Sequence, residues 1–364
     1  MIKFLDLRKQ YSILKNEIDE AVLRVFEEGS FIKGEEVRRF ESSFAQYCEA
    51  SHCIACANGT DGLAVLLKAF ELPEKSTVIV PANTFIATAE SVISNGLNVK
   101  FADIDDDFTI SPESVASLIT DDVSAVMAVH LYGHPAKMDE IREITAKKGI
   151  VLIEDAAQAH GAMLNGKKTG TLADGAVFSF YPGKVLGAAG DAGAVVLNDD
   201  KIAEKVRKYC DHGRSDKYIH QFPGINSRMD SIQAAVLNVK LKYLESWIEA
   251  RNKVASIYLN SIKENEELIL PHPRKGVRHA WHLFVIKTKR RDELKKYLES
   301  NGIECGIHYP VSLPQQPAFI GESGYASKYR AVLEQNDVLS LPIGEHLDEK
   351  EVLEVSRKIN DFFS

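Results

Sequence analysis

Val151-Leu152-Ile153-Glu154-Asp155-Ala156-Ala157-Gln158-Ala159-His160 is a hydrophobic run that ends in two acids and then in small residues. It reads as a buried strand over 151–154 with its polar groups at the carboxyl end. Neighbouring strand residues point to opposite faces, so Glu154 and Asp155 cannot both enter one pocket. A carboxylate there either sits on a wet rim or needs a cationic or hydrogen-bonding partner. The same texture repeats on both sides. Strands are expected at 53–57, 77–81, 99–104, 125–130, 176–180 and 194–197, with helical patterns at 61–70, 87–94, 112–119 and 138–147. Uniformly apolar strands separated by helices imply an α/β layer fold with a mostly parallel, buried sheet. Ligands in such folds sit at the carboxyl ends of the strands.

After Arg228 the texture changes. Ile232, Val236, Val239 and Tyr243 line one face of a helix expected over 230–263. An α+β mixture follows: strand 281–286, helix 291–301, strand 302–306, a proline-rich loop, then helices near 327–335 and 348–362. The expected division is a large domain over 1–245 and a smaller one over 246–364.

The 364 residues are 45% apolar and 26% charged, with 23 Gly and 12 Pro, which excludes disordered, collagen-like and coiled-coil classes. Net charge is 44 − 52 = −8, which opposes general binding to nucleic acid or an anionic membrane but not a local anion pocket. No apolar run approaches membrane-spanning length and the start lacks a signal-peptide core, so a cytoplasmic protein is expected. The five cysteines, Cys48, Cys53, Cys56, Cys210 and Cys305, are expected as free thiols. Cys53 and Cys56, three apart on a strand, face opposite sides, which suits core packing and not a metal site. No metal is expected.

Three further features carry chemistry. Asn58-Gly59-Thr60-Asp61-Gly62 follows a strand and opens a helix; it is either a plain capped turn or an anion site built from free amides. Phe178-Ser179-Phe180-Tyr181-Pro182-Gly183-Lys184 runs from a strand into a Pro-Gly turn that presents a lysine to a small, uncharged stretch. A desolvated amine of this kind is a nucleophile toward carbonyl carbon. An acid at one strand end, a lysine 184 − 155 = 29 positions later and an anion-binding helix start suggest pyridoxal phosphate. By contrast Gly183–Gly190, with no G-x-G-x-x-G or Walker pattern, gives no support to a nicotinamide or nucleotide-hydrolysing fold.

The sequence resembles the DegT/DnrJ/StrS sugar aminotransferases, fold type I pyridoxal-phosphate enzymes, over almost its whole length. The resemblance lies in Phe4-Leu5-Asp6-Leu7, Asn58-Gly59-Thr60-Asp61, Pro81-Ala82-Asn83-Thr84-Phe85-Ile86-Ala87-Thr88 and Glu154-Asp155-Ala156-Ala157-Gln158-Ala159-His160-Gly161. It continues through Ser179-Phe180-Tyr181-Pro182-Gly183-Lys184, Gly190-Asp191-Ala192-Gly193, Asn226-Ser227-Arg228-Met229-Asp230, His279-Ala280-Trp281-His282-Leu283-Phe284 and His308-Tyr309-Pro310. It implies that Lys184 is the Schiff-base lysine and proton shuttle and that Asp155 pairs with the pyridinium nitrogen. Gln158 would lie near the phenolic oxygen and Phe85 would stack on the ring. The backbone of Gly59, Thr60 and Asp61, with the Ser179 hydroxyl, would hold the phosphate. Asn226 would reach the phosphate of a neighbouring subunit, which implies a homodimer with shared sites. Tyr181, His212, Arg214, Tyr218, His220, His308 and Tyr309 are candidates for the sugar and its diphosphate.

Gly190-Asp191-Ala192-Gly193 is similar to enzymes acting at C3 of nucleotide-linked 3-keto-6-deoxyhexoses, whereas many relatives acting at C4 carry Gly-Glu-Gly. The resemblance therefore implies amination of a dTDP-3-keto-6-deoxyhexose with L-glutamate as donor. A 4-keto-sugar aminotransferase and a non-catalytic regulator are the alternatives. The sequence departs from the usual pattern at Gly62, where Ala is common, and at Val185, where Asn is common.

Overall fold

In the computed structural model, which describes residues 1–319 and 328–364, the apolar runs of the first half form one seven-stranded sheet. Its strands are β1 (His52–Cys56), β2 (Thr77–Pro81), β3 (Asn98–Ala102), β4 (Val123–Val129), β5 (Val151–Asp155), β6 (Gly175–Ser179) and β7 (Gly193–Leu197). Their spatial order is β1-β7-β6-β5-β4-β2-β3. Only β7 is antiparallel to its neighbours, so the carboxyl ends of the other six strands share one edge. At that edge Asp155 pairs with Val129 on one side and Val177 on the other.

Helices α1 (Leu7–Glu28) and α2 (Glu35–Cys48) precede the sheet, and α3 (Gly59–Ala69), α4 (Ala87–Ser94), α5 (Pro112–Leu118), α6 (Met138–Ala146) and α7 (Asp200–Tyr209) lie between or after its strands. The two faces of the sheet bury separate cores. Cys56, Leu63, Val177 and Val195 belong to one; Cys53, Phe44, Phe178 and Phe180 belong to the other. Cys53 and Cys56 thus point to opposite faces, as alternation along a strand requires, and both are free and buried. On the second face Phe44 of α2 meets Phe178 and Phe180 edge-on, at 5.0 and 5.1 Å between centroids, a favoured quadrupole geometry.

The helix expected over 230–263 is two helices, α8 (Ser231–Leu241) and α9 (Leu244–Ser261). At the break, the amides of Lys242 and Tyr243 bond three residues back, to Val239 and Lys240. Both side chains at the break reach Glu17 of α1, Lys242 Nζ at 3.0 Å and Tyr243 through its hydroxyl. A tertiary contact therefore bends a sequence whose periodicity runs straight through it.

The remainder forms a second layer: strands β8 (Phe284–Lys287) and β9 (Val338–Leu341) pair antiparallel beside α10 (Arg291–Ser300), α11 (Arg330–Glu334) and α12 (Glu349–Phe362). The strand expected at 281–286 starts only at Phe284, because Trp281 takes a left-handed φ of 48°. The strand expected at 302–306 does not form; Ile303 and Gly306 make single bridges to Ile2 and Ser340. Of the helix expected at 327–335, Ser327 lies outside the described residues. Helix α9 joins the layers: Leu244 and Ile248 pack beneath the large sheet, while Val254, Ala255 and Tyr258 pack with Phe284 and Leu339. Among the described residues, no helix is long and apolar enough to cross a membrane.

Candidate active site

The carboxyl ends of β5 and β6, the start of α3, the approach to α4 and the loop at His308–Tyr309 enclose a cavity of about 630 Å³. Lys184, Asp155, Gln158, Ser179, Gly59, Thr60, Phe85, Tyr181, His308 and Tyr309 all line it. Residues dispersed over 250 positions of sequence meet there because parallel strands deliver their ends to one edge.

The two acids of the decisive stretch divide as the strand geometry requires. Glu154 turns away from the cavity and is completely buried. It accepts the amides of Leu172 (2.8 Å), Ala173 (3.1 Å) and Gly170 (2.8 Å) and pairs with His130 Nε2 at 2.9 Å. It is a structural acid. Asp155 faces the cavity, with one oxygen accepting from the Thr88 hydroxyl (2.8 Å) and the other from the Ala157 amide (3.2 Å). Burial pushes its carboxyl above the ordinary carboxylate value, against the pull of those hydrogen bonds and of Lys184. Among the described residues no cation is within ion-pairing distance of it.

Lys184 sits in the loop after β6, its amide bonded to the Tyr181 carbonyl at 2.8 Å. Burial lowers its ammonium to about 8, opposed by the charge of Asp155. The ammonium still predominates near physiological pH, but the neutral, nucleophilic fraction is far larger than an ordinary lysine offers. Two residues of α8 fix the loop beyond it: Gln233 Oε1 accepts the Ala189 amide at 2.9 Å, and buried Lys240 donates to the Gly187 carbonyl at 2.7 Å.

At the start of α3, the Asn58 side chain caps the helix by accepting the Asp61 amide at 2.8 Å. The Asp61 amide is thus engaged, and Asp61 does not line the cavity, whereas Gly59 and Thr60 do. First-turn amides such as theirs have no intrahelical acceptor and point outward at the positive end of the dipole. Gly59 is required for the close approach: a Cβ there would lie 2.9 Å from Cβ of Ser179. Phe85 is 53% exposed above the cavity, with its ring 5.9 Å from that of Tyr309. It is not a core residue. Gln158 is clamped, accepting the Tyr132 amide at 2.6 Å and donating to the Tyr309 hydroxyl at 3.0 Å. Burial lowers His308 to about 4, leaving a neutral ring whose Nδ1 lies 2.9 Å from the Ser340 hydroxyl.

Four expected residues lie elsewhere. His212, Arg214, Tyr218 and His220 belong to a hairpin of strands Arg214–Asp216 and Ile219–His220 and do not line the cavity. Tyr218 is 81% exposed. Asn226 is also exposed, bridged to Asp211 beside that hairpin. Conversely, Thr84 and His282, which the sequence placed only within resembling segments and gave no role, line the cavity, as does Arg251. Arg251 is buried in α9, donating to the carbonyls of Trp281 (3.0 Å) and Ile343 (3.2 Å) and pairing with Glu345 at 3.3 Å. Its signal was only a lone arginine in a helix. His160, though in the decisive stretch, packs between Phe178 and Phe180 and lies outside the cavity.

A buried carboxylate without a cation, a lysine with a weakened hold on its proton, free helix-start amides and an aromatic lid fit the pyridinium, aldehyde, phosphate and ring of pyridoxal phosphate. Fold and site together define a fold type I pyridoxal-phosphate enzyme. A model of the DegT/DnrJ/EryC1/StrS aminotransferase family matches residues 12–360, and the chain belongs to that family. It is 40% identical to a dTDP-3-amino-3,4,6-trideoxy-α-D-glucose transaminase of Streptomyces venezuelae, over 99% of this chain and 96% of that protein. It is likewise 40% identical to a dTDP-3-amino-3,6-dideoxy-α-D-galactopyranose transaminase of Aneurinibacillus thermoaerophilus, over 100% and 99%. The crystal structure of S. venezuelae DesV in complex with a ketimine intermediate superposes with a TM-score of 0.97 at 39% identity, covering 99% of this chain and 98% of that one.

Proposed function

We propose that this aminotransferase converts a dTDP-linked 3-keto-6-deoxyhexose into the 3-amino-3,6-dideoxyhexose, with L-glutamate as amino donor. The observation that carries it is that Lys184 and Asp155 line one cavity, in a chain two of whose full-length relatives are named as dTDP-3-amino-sugar transaminases. Bound pyridoxal phosphate supplies the electron sink for the carbanion at the carbon that gives up or receives nitrogen. Asp155 keeps the pyridine nitrogen protonated. Lys184 Nζ takes the proton from the donor's Cα in one half-reaction and returns a proton to the sugar's C3 in the other. The Gly59 and Thr60 amides and the Ser179 hydroxyl would hold the phosphate, with Phe85 placed for the ring and Gln158 for its phenolic oxygen; the Asp61 amide, held by Asn58, serves the helix cap instead.

The protein works as a cytoplasmic homodimer with shared sites, in a large domain over 1–245 and a small one over 246–364. Support for the shared site is the position of Asn226 and the hairpin bearing His212, Arg214, Tyr218 and His220. They form one strip outside their own cavity, exposed apart from the half-buried Arg214 beside Asp211, and suited to the cofactor phosphate and the sugar diphosphate in a partner's cavity. Arg214 offers a phosphate-matching fork. Tyr181, His308 and Tyr309 meet the sugar from the same chain.

The test is the visible spectrum of the purified protein before and after L-glutamate, followed by addition of dTDP-3-keto- and dTDP-4-keto-6-deoxyhexose. The expected outcome is loss of the visible band with glutamate and its return with the 3-ketosugar. Return with the 4-ketosugar alone overturns the position assigned. A band that ignores every amino donor overturns transamination.

A further inference from the structure

We propose that Thr88, with Thr84 behind it, is a positioning residue that holds the Asp155 carboxylate ready for the cofactor's ring nitrogen. This rests on the placement of Asp155 toward that nitrogen argued above. Thr84, Thr88 and Asp155 are all buried, Thr88 completely. Thr88 Oγ1 lies 2.8 Å from Asp155 Oδ2 and 3.2 Å from Thr84 Oγ1. An ionised carboxylate only accepts, so the one Thr88 proton goes to Asp155. Thr84 must then donate to Thr88, and the hydroxyl chain is polarised toward the acid. Chains of this kind strengthen each member in a low-dielectric interior.

The contact is not a by-product of helix formation. A helical threonine or serine ordinarily returns its hydroxyl to a carbonyl three or four residues back. Ser91 and Ser94 of the same helix do so, to Thr88 O at 2.9 Å and Ser91 O at 3.0 Å. Thr88 instead spans 67 positions of sequence to a strand end. With the Ala157 amide on the other oxygen, the two donors fix the plane of the carboxylate and oppose the protonation that burial favours. A protonated Asp155 could not hold a cationic ring nitrogen. The segment 84–88 therefore contributes twice to the site, with Phe85 over the ring and Thr88 behind the acid.

The test uses full-length protein stripped of cofactor and titrated with pyridoxal phosphate, in wild type, Thr88→Val, Thr88→Ser, Thr84→Val and Asp155→Asn. The readouts are the cofactor Kd, the pH midpoint of the visible band and the melting temperature. Thr88→Val keeps the shape but loses the donor, and its Kd rises about tenfold or more, as expected for a hydrogen bond to a charged acceptor. Its visible-band midpoint moves to higher pH, because a ring that has lost its positive charge withdraws less from the Lys184 nitrogen, which then keeps its proton longer. Thr88→Ser returns both readouts to near wild type, and Thr84→Val falls between. Wild-type Kd and midpoint in Thr88→Val overturn the proposal. So does a Thr88→Ser variant as impaired as Thr88→Val, which assigns the residue to packing alone. If Asp155→Asn binds and titrates like wild type, the placement of Asp155 itself fails; if only Asp155→Asn is impaired, that placement stands and the role of Thr88 falls.

Discussion

Gly62 illustrates how one missing methyl group sets the approach of a helix to a strand. A Cβ there would lie 2.8 Å from Cγ1 of Val177 and 3.3 Å from the Cys56 sulfur, so α3 can approach β6 only because the residue is glycine. Alanine is intrinsically better in a helix by about 1 kcal/mol, but the clash falls on a rigid β-branched side chain and outweighs that gain. Gly62→Ala is expected to lower stability, and a double-mutant cycle with Val177→Ala, followed by urea unfolding, is expected to give a coupling of at least about 0.5 kcal/mol. Lys184 carries a cost of a different kind. Its ammonium is held at about 8 in the fold against an ordinary value of 10.5. The cofactor-free protein therefore sheds a proton on folding between those values, and its stability rises as pH climbs from about 8 to 10.5. Cofactor-free Lys184→Met is expected to lack that rise. At pH 7 it should be more stable by about 1–2 kcal/mol, less than the full shift implies because the side chain is not wholly enclosed.

Among the elements, α9 links the most distant parts of the chain. Its first turns belong to the core of the large sheet and its later turns to the core around Phe284, with Arg251 between them at the cavity wall. Burial alone would push the Glu345 carboxyl up, but Arg251 and Gln10 bring it below its ordinary value. A depressed carboxyl stabilises the fold above its unfolded value, 4.5, and loses that contribution as pH falls through the folded value. Glu345→Gln is expected to be less stable at pH 7 by about 3 kcal/mol, since it leaves a buried guanidinium without its charge partner. Its stability should also fall less steeply below pH 4.5, a difference measurable in urea midpoints at pH 7, 5 and 4.

For the whole molecule, the decisive prediction concerns the shared site. A Lys184→Ala subunit retains Asn226, and an Asn226→Asp subunit retains Lys184. Each homodimer is inactive in the proposed arrangement, but a mixed dimer contains one complete site. Random exchange of equal amounts is expected to restore about a quarter of wild-type activity, from half the dimers carrying one of two sites. No recovery after demonstrated subunit exchange would show that each chain builds its site alone.

Most of the sheet and the heart of the site were legible because both depend on short-range pattern. A run such as 151–155 is apolar wherever a parallel sheet buries it on both faces, and polar residues gather where strands end, so Asp155, Lys184 and Gly59 could be found by reading along the chain. The break between α8 and α9 was not legible, since it arises from Lys242 and Tyr243 reaching Glu17 more than two hundred positions away. Nor was the absence of a strand at 302–306, whose residues find only single partners. Arg251 escaped notice, and Thr88 stood in a resembling segment without a role, for the same reason: an arginine or threonine in a helix acquires meaning only from what packs against it. The sequence by itself determined the layer architecture, the carboxyl-edge site and the cofactor class, because periodicity and residue chemistry are local. The tertiary structure alone decided which partners hold Glu154 as a structural acid, that Thr88 stands behind Asp155, and that Arg214 and its hairpin stand outside their own cavity, because burial and hydrogen-bond partners come from distant segments.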